Sequence, residues 1–428
     1  MAAKGTWRGA CLVAAAAIAL AGCGEGGANR VAGGSAGSGG GAAPALAELD
    51  FEVIEQGDDS RYPGADELLL EDLGSWAAFW AQHDPSRPPP RIDLRGRAVL
   101  ASLMGAMPSA GFGRTVVRVE RELATGDVRA LVRDQAPASW VPVPRIVTAP
   151  YAVAAIQTGG PTSGRLHTER QESLAYEELF SGHDNAAGLA DPGYAGEVIV
   201  ARSQAEYDAL WRRIAPNRRP PAQPANLDFA RQQVVAVLAP HRTQFYGGLV
   251  VHRVLADQHG ELRVCYTVEP YRGGAAPPPG PFAPWAMVRT NATPAGMRAR
   301  FEQPRALPRR TLARGHGTYH GPRMLSVARD DASYRAWQGA LGQPLPPVDF
   351  ATEQVVIAFA GNSPFGTTYS SVEVSALELL EDGELVVEVS LVTNTAGPSS
   401  ADSPYHYAAM PRTHGPVTFR LVDATPRP

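Results

Sequence analysis

The residues of this sequence best suited to metal chemistry are two histidines in its last third. His316 and His320 are four positions apart, and His406 or His414 could complete a zinc site, since zinc prefers three or four nitrogen, sulfur or carboxylate ligands. The i, i+4 spacing would place both rings on one face of a helix, but the flanking glycines argue against a helix here. A zinc ion at these candidate ligands would make the chain a hydrolase, and we keep that reading as an alternative.

An aspartate recurs three times between two apolar residues, just before an apolar run. The copies are Asp93, Asp228 and Asp349, which open the segments DLRGRAVLASLMG, DFARQQVVAVLAP and DFATEQVVIAFAG. A catalytic carboxylate would need a base or a metal ligand that recurs with it, and none does. We therefore predict that each carboxylate caps the following turn. We predict no catalytic residue and no cofactor for this chain.

The composition excludes several classes of chemistry. Lys4 is the only lysine, so the rest of the chain cannot form a Schiff base or a P-loop. The sequence has no cysteine cluster, dinucleotide fingerprint or HExxH motif. The formal net charge is −4, and it becomes −6 when the two positive charges of Lys4 and Arg8 are removed, so nothing attracts nucleic acid to the chain as a whole. Cys265 lies in an apolar segment and is predicted to be a small buried hydrophobe.

The elements that carry these residues form a pattern that repeats three times. Each copy opens with a polar cap residue, an aromatic residue four positions later and further apolar residues at helical spacing, which predicts a short amphipathic helix. A proline-rich loop ends the helix, and the shared aspartate and the apolar strand follow. The caps are Asp72, Ser203 and Asp330, and the buried stripes are Trp76, Phe79 and Trp80, then Tyr207, Leu210 and Trp211, then Tyr334 and Trp337.

The second half of each copy predicts a hairpin and a closing motif. Glycines at 126, 260 and 383 stand between alternating strands, which is typical of a tight hairpin turn. A variable loop then leads to a proline–aromatic pair, and the prolines lie 57, 56 and 55 residues after the shared aspartate. This agreement indicates three copies of one module. We interpret the shared aspartates and the shared prolines as structural residues that define the module. The prolines are Pro150, Pro284 and Pro404.

The predicted fold class is α+β, with three tandem modules and more strand than helix. Each module is expected to be a mostly antiparallel twisted β-sheet packed by one short N-terminal helix. The predicted boundaries are 48–158 for the first module, 165–292 for the second and 297–426 for the third. His183 and Asp184 are interpreted as part of a polar linker loop.

The N-terminal segment predicts the location of the protein. Lys4 and Arg8 precede an apolar stretch, and the following Leu-Ala-Gly-Cys ends at Cys23. This sequence resembles the lipobox of bacterial lipoproteins, which implies a signal peptide over 1–22 and lipid attachment at Cys23. Residues 23–47 would then be the lipidated cysteine and a Gly/Ala/Ser tether. We expect a lipid-anchored protein of the cell envelope, on the outer membrane if the host is didermal, because the residue after Cys23 is glycine and not aspartate.

The ordered motifs of the module also resemble those of the PrcB family. The shared features are the aromatic helix, the proline-rich loop, the [VI]D[FL] motif before an apolar strand, a Gly-aromatic loop and a terminal Pro-Tyr. The lead-in FEVIEQGDDSRYPG is similar too, and the resemblance covers nearly everything after residue 48. Members of that family include a lipoprotein subunit of a surface protease complex, so the resemblance implies a non-catalytic role in binding or stabilising a partner. The family's Gly-Gly-Tyr loop is altered in all three copies, to Gly247-Gly248-Leu249, Thr367-Thr368-Tyr369 and Phe112-Gly113-Arg114.

The sequence therefore favours a non-enzymatic binding or scaffold protein of the cell envelope. Its partners would be the membrane, through lipidated Cys23, and an envelope or secreted protein such as a protease. Exposed sheet edges could receive an extended peptide by strand addition. The alternatives are an envelope hydrolase that uses the histidines of the third module, and a purely structural spacer.

Overall fold

The computed structural model describes residues 45–160, 162–184, 194–214, 227–240, 246–270, 283–317, 319, 321–341, 344–361, 369–393 and 403–423. Cys23, the tether and His320 lie outside the described residues. The described chain forms two compact units. One contains the residues up to Arg305 together with Leu379–Gly383, and the other contains the remaining residues from Ala306 onward.

The three predicted helices begin directly after their predicted caps. They are α1 (Leu73–His83), α2 (Gln204–Ile214) and α3 (Asp331–Leu341). Asp72 accepts hydrogen bonds from the backbone N–H groups of Gly74 and Ser75. Ser203 accepts one from Glu206 at 3.3 Å, and Asp330 accepts one from Ser333 at 2.7 Å. Each cap satisfies an N–H group that has no partner inside the helix.

The strands follow one sequence of elements in each third of the chain. The first third contains β1 (Leu46–Glu48), β2 (Phe51–Gly57), β3 (Ala65–Leu70), β4 (Arg97–Met104), β5 (Gly113–Glu122), β6 (Val128–Gln135), β7 (Tyr151–Gln157) and β8 (Leu166–Leu174). The second contains β9 (Tyr176–Asp184), β10 (Glu197–Ala201), β11 (Gln232–Leu238), β12 (Tyr246–Asp257), β13 (Glu261–Pro270), β14 (Ala283–Asn291) and β15 (Arg298–Glu302). The third contains β16 (Arg305–Ala306), β17 (Arg310–Gly317), β18 (Met324–Ala328), β19 (Glu353–Phe359), β20 (Tyr369–Leu379), β21 (Leu385–Thr393), β22 (Ser403–Pro411) and β23 (Val417–Asp423).

Each module is built on a four-stranded antiparallel sheet with the same strand order. The orders are β2-β7-β4-β3, β9-β14-β11-β10 and β17-β22-β19-β18. The strand after the shared aspartate (β4, β11 or β19) and the strand of the Pro-aromatic pair (β7, β14 or β22) occupy the two central places. The predicted α+β class, rich in antiparallel strands, is therefore confirmed.

The central strands are mostly apolar because both of their faces are covered. In the second module, Val234 and Ala236 pack against α2, and Val235 and Val237 pack against the hairpin formed by β12 and β13. Successive side chains of a strand point to opposite faces, so a strand buried on both sides shows no apolar–polar alternation. The third module repeats this arrangement, with Val355 and Ile357 on the side of α3.

A second layer of strands, which the sequence did not predict as a separate layer, covers the face of the central sheet opposite the helix. It consists of the hairpin and a closing strand. Each predicted hairpin is present, and its turn glycine has a positive φ: 78° at Gly126, 82° at Gly260 and 88° at Gly383. The chain then returns after the Pro-aromatic strand and adds a closing strand parallel to the second strand of the hairpin. The closing strands are β8 on β6, β15 on β13 and β23 on β21.

The closing strand of the first module also belongs to the second. β8 pairs with β6 in parallel and with β12 in antiparallel orientation, which produces one sheet in the order β1-β5-β6-β8-β12-β13-β15. The first two modules are therefore joined by shared backbone hydrogen bonds. The linker interpretation of His183 and Asp184 was wrong, because both residues end β9 and pair with the strand of Pro284. No helix in the described part of the chain is long and apolar enough to cross a bilayer.

Candidate functional site

The histidines of the third module are not arranged as a zinc site in the part of the chain that is described. His316 is exposed on β17, and no group of three potential metal ligands occurs among the described residues. His406 is buried, and its Nδ1 accepts the N–H of Val374 at 2.8 Å. The Nε2 of a neutral ring must then carry the proton, and it donates to the hydroxyl of Thr311 at 3.0 Å. Burial lowers the pKa of His406 to about 4, so this ring is a neutral structural group.

The three shared aspartates have the same turn-capping role. In each copy the carboxylate accepts a hydrogen bond from the backbone N–H two residues on, at 3.0–3.1 Å, as in Arg95, Ala230 and Ala351. This contact is the turn-capping hydrogen bond that the sequence predicted. The carboxylates thus hold the chain at the point where it enters the central strand.

The shared prolines begin the other central strand. Each proline carbonyl accepts a backbone hydrogen bond at 2.9–3.0 Å from the end of the neighbouring central strand, the donors being Met104, Ala239 and Ala360. The aromatic residue that follows the proline lies directly across from a glycine of the edge strand. These pairs are Gly57 with Tyr151, Gly182 with Trp285 and Gly315 with Tyr405. The ring covers the space that a side chain would otherwise occupy, a threefold feature that the sequence analysis missed.

A pair of polar side chains that the sequence did not predict, Ser60 and His83, lies in the first module. The Ser60 hydroxyl is 2.8 Å from Nδ1 of His83, but it also accepts the N–H of Tyr62. The His83 ring is buried between Phe79 and Tyr151, and burial lowers the pKa of His83. A catalytic histidine needs an orienting partner on its other nitrogen. Among the described residues Nε2 of His83 has none, so this pair lacks the third member of a triad.

Cys265 is buried, as predicted. Its thiol donates to Oε2 of Glu302 at 3.2 Å, and burial and the neighbouring carboxylate raise the pKa of the thiol well above its ordinary value. A protonated, enclosed thiol is a poor nucleophile.

The feature best suited to binding is a groove in the unit that contains the first two modules. It encloses about 700 Å³, and it lies where β8 joins the sheets of the two modules. One wall is formed by the loop after β4, and the other by the β12–β13 turn and the connection that leads to β15. We call it the β8 groove. Its apolar lining includes three methionines and a phenylalanine, Met104, Met107, Met297 and Phe112.

A buried arginine holds one acidic side chain at the wall of the β8 groove. Arg114 is 2% exposed, and its guanidinium contacts both carboxylate oxygens of Asp134, at 2.7 and 2.9 Å. It also donates to Glu67 at 2.8 Å and to the carbonyl of Leu103 at 2.9 Å. Such bidentate pairs fix direction as well as distance. Arg114 stands in the altered Gly-Gly-Tyr loop, and Phe112 of the same loop lines the groove.

The charged residues of the lining are mostly acidic, and β8 also carries one buried acceptor without a partner among the described residues. Asp134, Glu172 and Asp257 face a single cationic residue of the lining, Arg170. Gln171, on β8, is 7% exposed, and among the described residues its Oε1 has no hydrogen-bond partner. Partial desolvation and the charge of Asp134 raise the pKa of Glu172.

The sequence held only one signal for this site. The altered loop pointed to residues 112–114, but the segment that forms β8, LHTERQESL, has neither the alternation nor the apolar content of a predictable strand. Comparison with protein-family models, with curated proteins and with solved structures found no match to this chain.

Proposed function

We propose that this chain is a lipid-anchored, non-enzymatic protein of the cell envelope that binds and stabilises or recruits a partner protein such as a protease. The observation that carries the proposal is the β8 groove, which combines an adaptable apolar lining with a few fixed polar groups. Binding sites for peptides and small molecules commonly have this composition and a volume of roughly 300–1,000 Å³. The methionines suit a site that must adapt to its ligand, because their side chains are unbranched and polarisable.

The repeat supports the same function. Residues shared by the three modules cap turns, fill helix–sheet cores or form hairpin turns, whereas the lining of the groove includes Phe112, from the loop that differs among the three copies. A scaffold used three times with different surfaces is suited to binding and not to three identical reactions. The proposed anchor is Cys23, and the lipobox, the Gly/Ala/Ser tether and the resemblance to PrcB proteins support an outer-membrane location in a didermal host and a protease as partner.

A photo-crosslinking amino acid in the β8 groove tests this function in cells. Placed at Met107, it should yield a specific adduct with one envelope or secreted protein, because the side chain lines the groove. The matched control is the same amino acid at Leu123, an exposed apolar residue (58% exposed) outside the groove, which should yield no such adduct. Identical adduct patterns at the two positions, or none at Met107, would contradict the proposal and leave the spacer alternative.

A further inference from the structure

We infer that an exposed loop of the first module enters the substrate cleft of a serine protease that cleaves after arginine. The loop comprises residues 139–147, and we call it the Arg145 loop. It lies outside the lining of the β8 groove, so this inference goes beyond the binding site proposed above and does not depend on it. Three features of the loop support it: its exposed side chains, its fixed ends and the chemistry of its tip.

The Arg145 loop presents apolar side chains to solvent. Val141 is 50% exposed, Ile146 is 61% exposed and Val147 is 72% exposed. Arg145, directly before Ile146, is exposed as well. Among the described residues, no group forms a hydrogen bond or an ion pair with Arg145, Ile146 or Val147. Apolar residues that are exposed together commonly mark a surface for interaction with another molecule.

Both ends of the loop are held by the folded unit to which it belongs. At the first end, the Ser139 N–H donates to Oδ1 of Asn291 at 2.8 Å, and Nδ2 of Asn291 donates to the carbonyl of Pro137 at 3.0 Å. At the second end, Thr148 and Met107 exchange two backbone hydrogen bonds, at 2.7 and 3.1 Å. A loop whose ends are fixed loses less conformational entropy when a partner binds it.

The tip of the loop, residues 142–147, has the sequence Pro-Val-Pro-Arg-Ile-Val. The rings of Pro142 and Pro144 fix their φ angles, which restricts the tip further. The carbonyl of Pro144 accepts the N–H of Ala110 at 3.1 Å, so the chain is tied to the folded unit directly before Arg145. The backbone groups of the next three residues remain available to pair with an extended strand of a partner.

The residues of the tip match a cleft that is specific for arginine. A serine protease of this specificity holds the arginine side chain in a pocket that has a carboxylate at its base. Arg145 offers a guanidinium without a partner, and the planar fork of its donors suits a carboxylate. The apolar side chains of Pro144 and Ile146, on either side, suit the walls of such a cleft.

A second Pro-Arg-Ile sequence in the same module lacks these features. Arg91 is exposed and follows Pro90, as Arg145 follows Pro144. The carbonyl of Pro90, however, accepts the indole N–H of Trp76 at 3.2 Å, and Ile92 packs against the helix–sheet core. The peptide bond after Arg91 is therefore held against the core and cannot enter a cleft without local unfolding.

A lipid surface suits the Arg145 loop less well than a protease does. Ile146 and Val147 line a cleft of about 540 Å³ together with Asp58 and Asp59, and both of these aspartates are exposed. Inserting the apolar side chains into a bilayer would bring two carboxylates to its surface. Anionic headgroups repel such charges, and burying them in the bilayer is costly.

Binding of the full-length protein to inactive trypsin tests this inference. The probe is trypsin whose nucleophilic serine is replaced by alanine, so that it binds a substrate without cleaving it. We expect binding that benzamidine, a small cation that fills the arginine pocket, blocks. Arg145→Gln should weaken binding about tenfold or more, because the charge-assisted hydrogen bonds are lost. Arg91→Gln is the matched control and should leave the affinity unchanged.

Cleavage by active trypsin provides a second measurement. Hydrolysis of the Arg145–Ile146 bond adds water and leaves a carboxylate on Arg145 and an amine on Ile146. Mass spectrometry of the new N-termini should show this cut at least about tenfold faster than the cut between Arg91 and Ile92, because the second bond is exposed to the enzyme only after local unfolding.

Arg145→Gln removes a side chain without a partner among the described residues, so the variant should fold, and thermal unfolding checks this. Failure of inactive trypsin to bind would overturn the inference, and the exposed apolar residues would then indicate a lipid surface. Binding that survives benzamidine or Arg145→Gln would overturn it as well, and so would equal rates of cleavage after Arg91 and Arg145. The crosslinking experiment at Met107 tests the β8 groove separately, since it does not depend on Arg145.

Discussion

His406 shows that a residue of a type suited to catalysis can have a purely structural role. Its two ring nitrogens join the backbone of β20 to a hydroxyl of β17, and its ring lies inside the third module. The same holds for the shared aspartates, whose carboxylates are occupied by local amides. The residue type and spacing identified these side chains, but their hydrogen-bond partners determine their role.

The burial of His406 predicts a pH-dependent stability. Its pKa is about 4 in the folded protein against an ordinary value of 6.5, so between these values the unfolded chain binds a proton that the folded chain does not. The stabilisation is complete above about pH 6.5 and is lost as the pH falls towards about 4. The free energy of unfolding in urea should therefore fall more steeply over this range in the wild type than in His406→Gln.

The control for this prediction is His316→Gln, which removes an exposed histidine from the same module. It should keep the pH dependence of the wild type. If His406→Gln shows the full wild-type dependence, other groups are responsible for it and the neutral buried ring is not established.

At the scale of elements, glycine–aromatic pairs hold the edge strand of each central sheet. Gly182 of β9 lies across from Trp285 of β14, whose indole packs at a right angle to that of Trp211 in α2. The edge strand, the central strand and the helix thus meet at one ring. Any side chain added at the glycine must displace that ring from the core.

Gly182→Ala should therefore destabilise the second module. An added Cβ would lie 2.8 Å from Cζ2 of Trp285, which is 3% exposed and has little room to move. We expect a loss of about 1–3 kcal/mol in the free energy of unfolding, measured with chemical denaturant. Gly248→Ala is the matched control, because an added Cβ there meets no atom within 4 Å, and its effect should stay within about 0.5 kcal/mol. Equal losses in the two variants would contradict this packing role.

At the scale of the whole molecule, the strand β8 belongs to two modules at once. The first module ends with this strand and the second begins beside it, so one continuous sheet serves both. The groove exists only because of this sharing, since its lining combines residues before β8, on β8 and after it. The binding element that we propose is therefore a pair of modules and not one module.

The proposed anchor makes a prediction for the complete protein in its host. Cys23→Ser should abolish labelling with a radioactive fatty acid and move the protein from the membrane fraction to the soluble fraction, because no acyl chain can be attached. Cys265→Ala is the control and should keep both the label and the membrane association, since Cys265 is buried within the second module. Retention of the label by Cys23→Ser would rule out Cys23 as the attachment site.

The sequence alone determined the features that depend on neighbours in the chain. Caps such as Asp72, the aspartate turns and the hairpin glycines act over two to five residues, and the apolar strands carry their own pattern. The tertiary structure decided the closing strands and the β8 groove. β8 is polar and is held by backbone bonds to strands far away in the sequence, so no local signal marks it. The contacts of Arg114 with Glu67 on β3 and with the carbonyl of Leu103 on β4 likewise arise only when separate strands meet, because hydrogen bonding and desolvation depend on the groups that folding brings together.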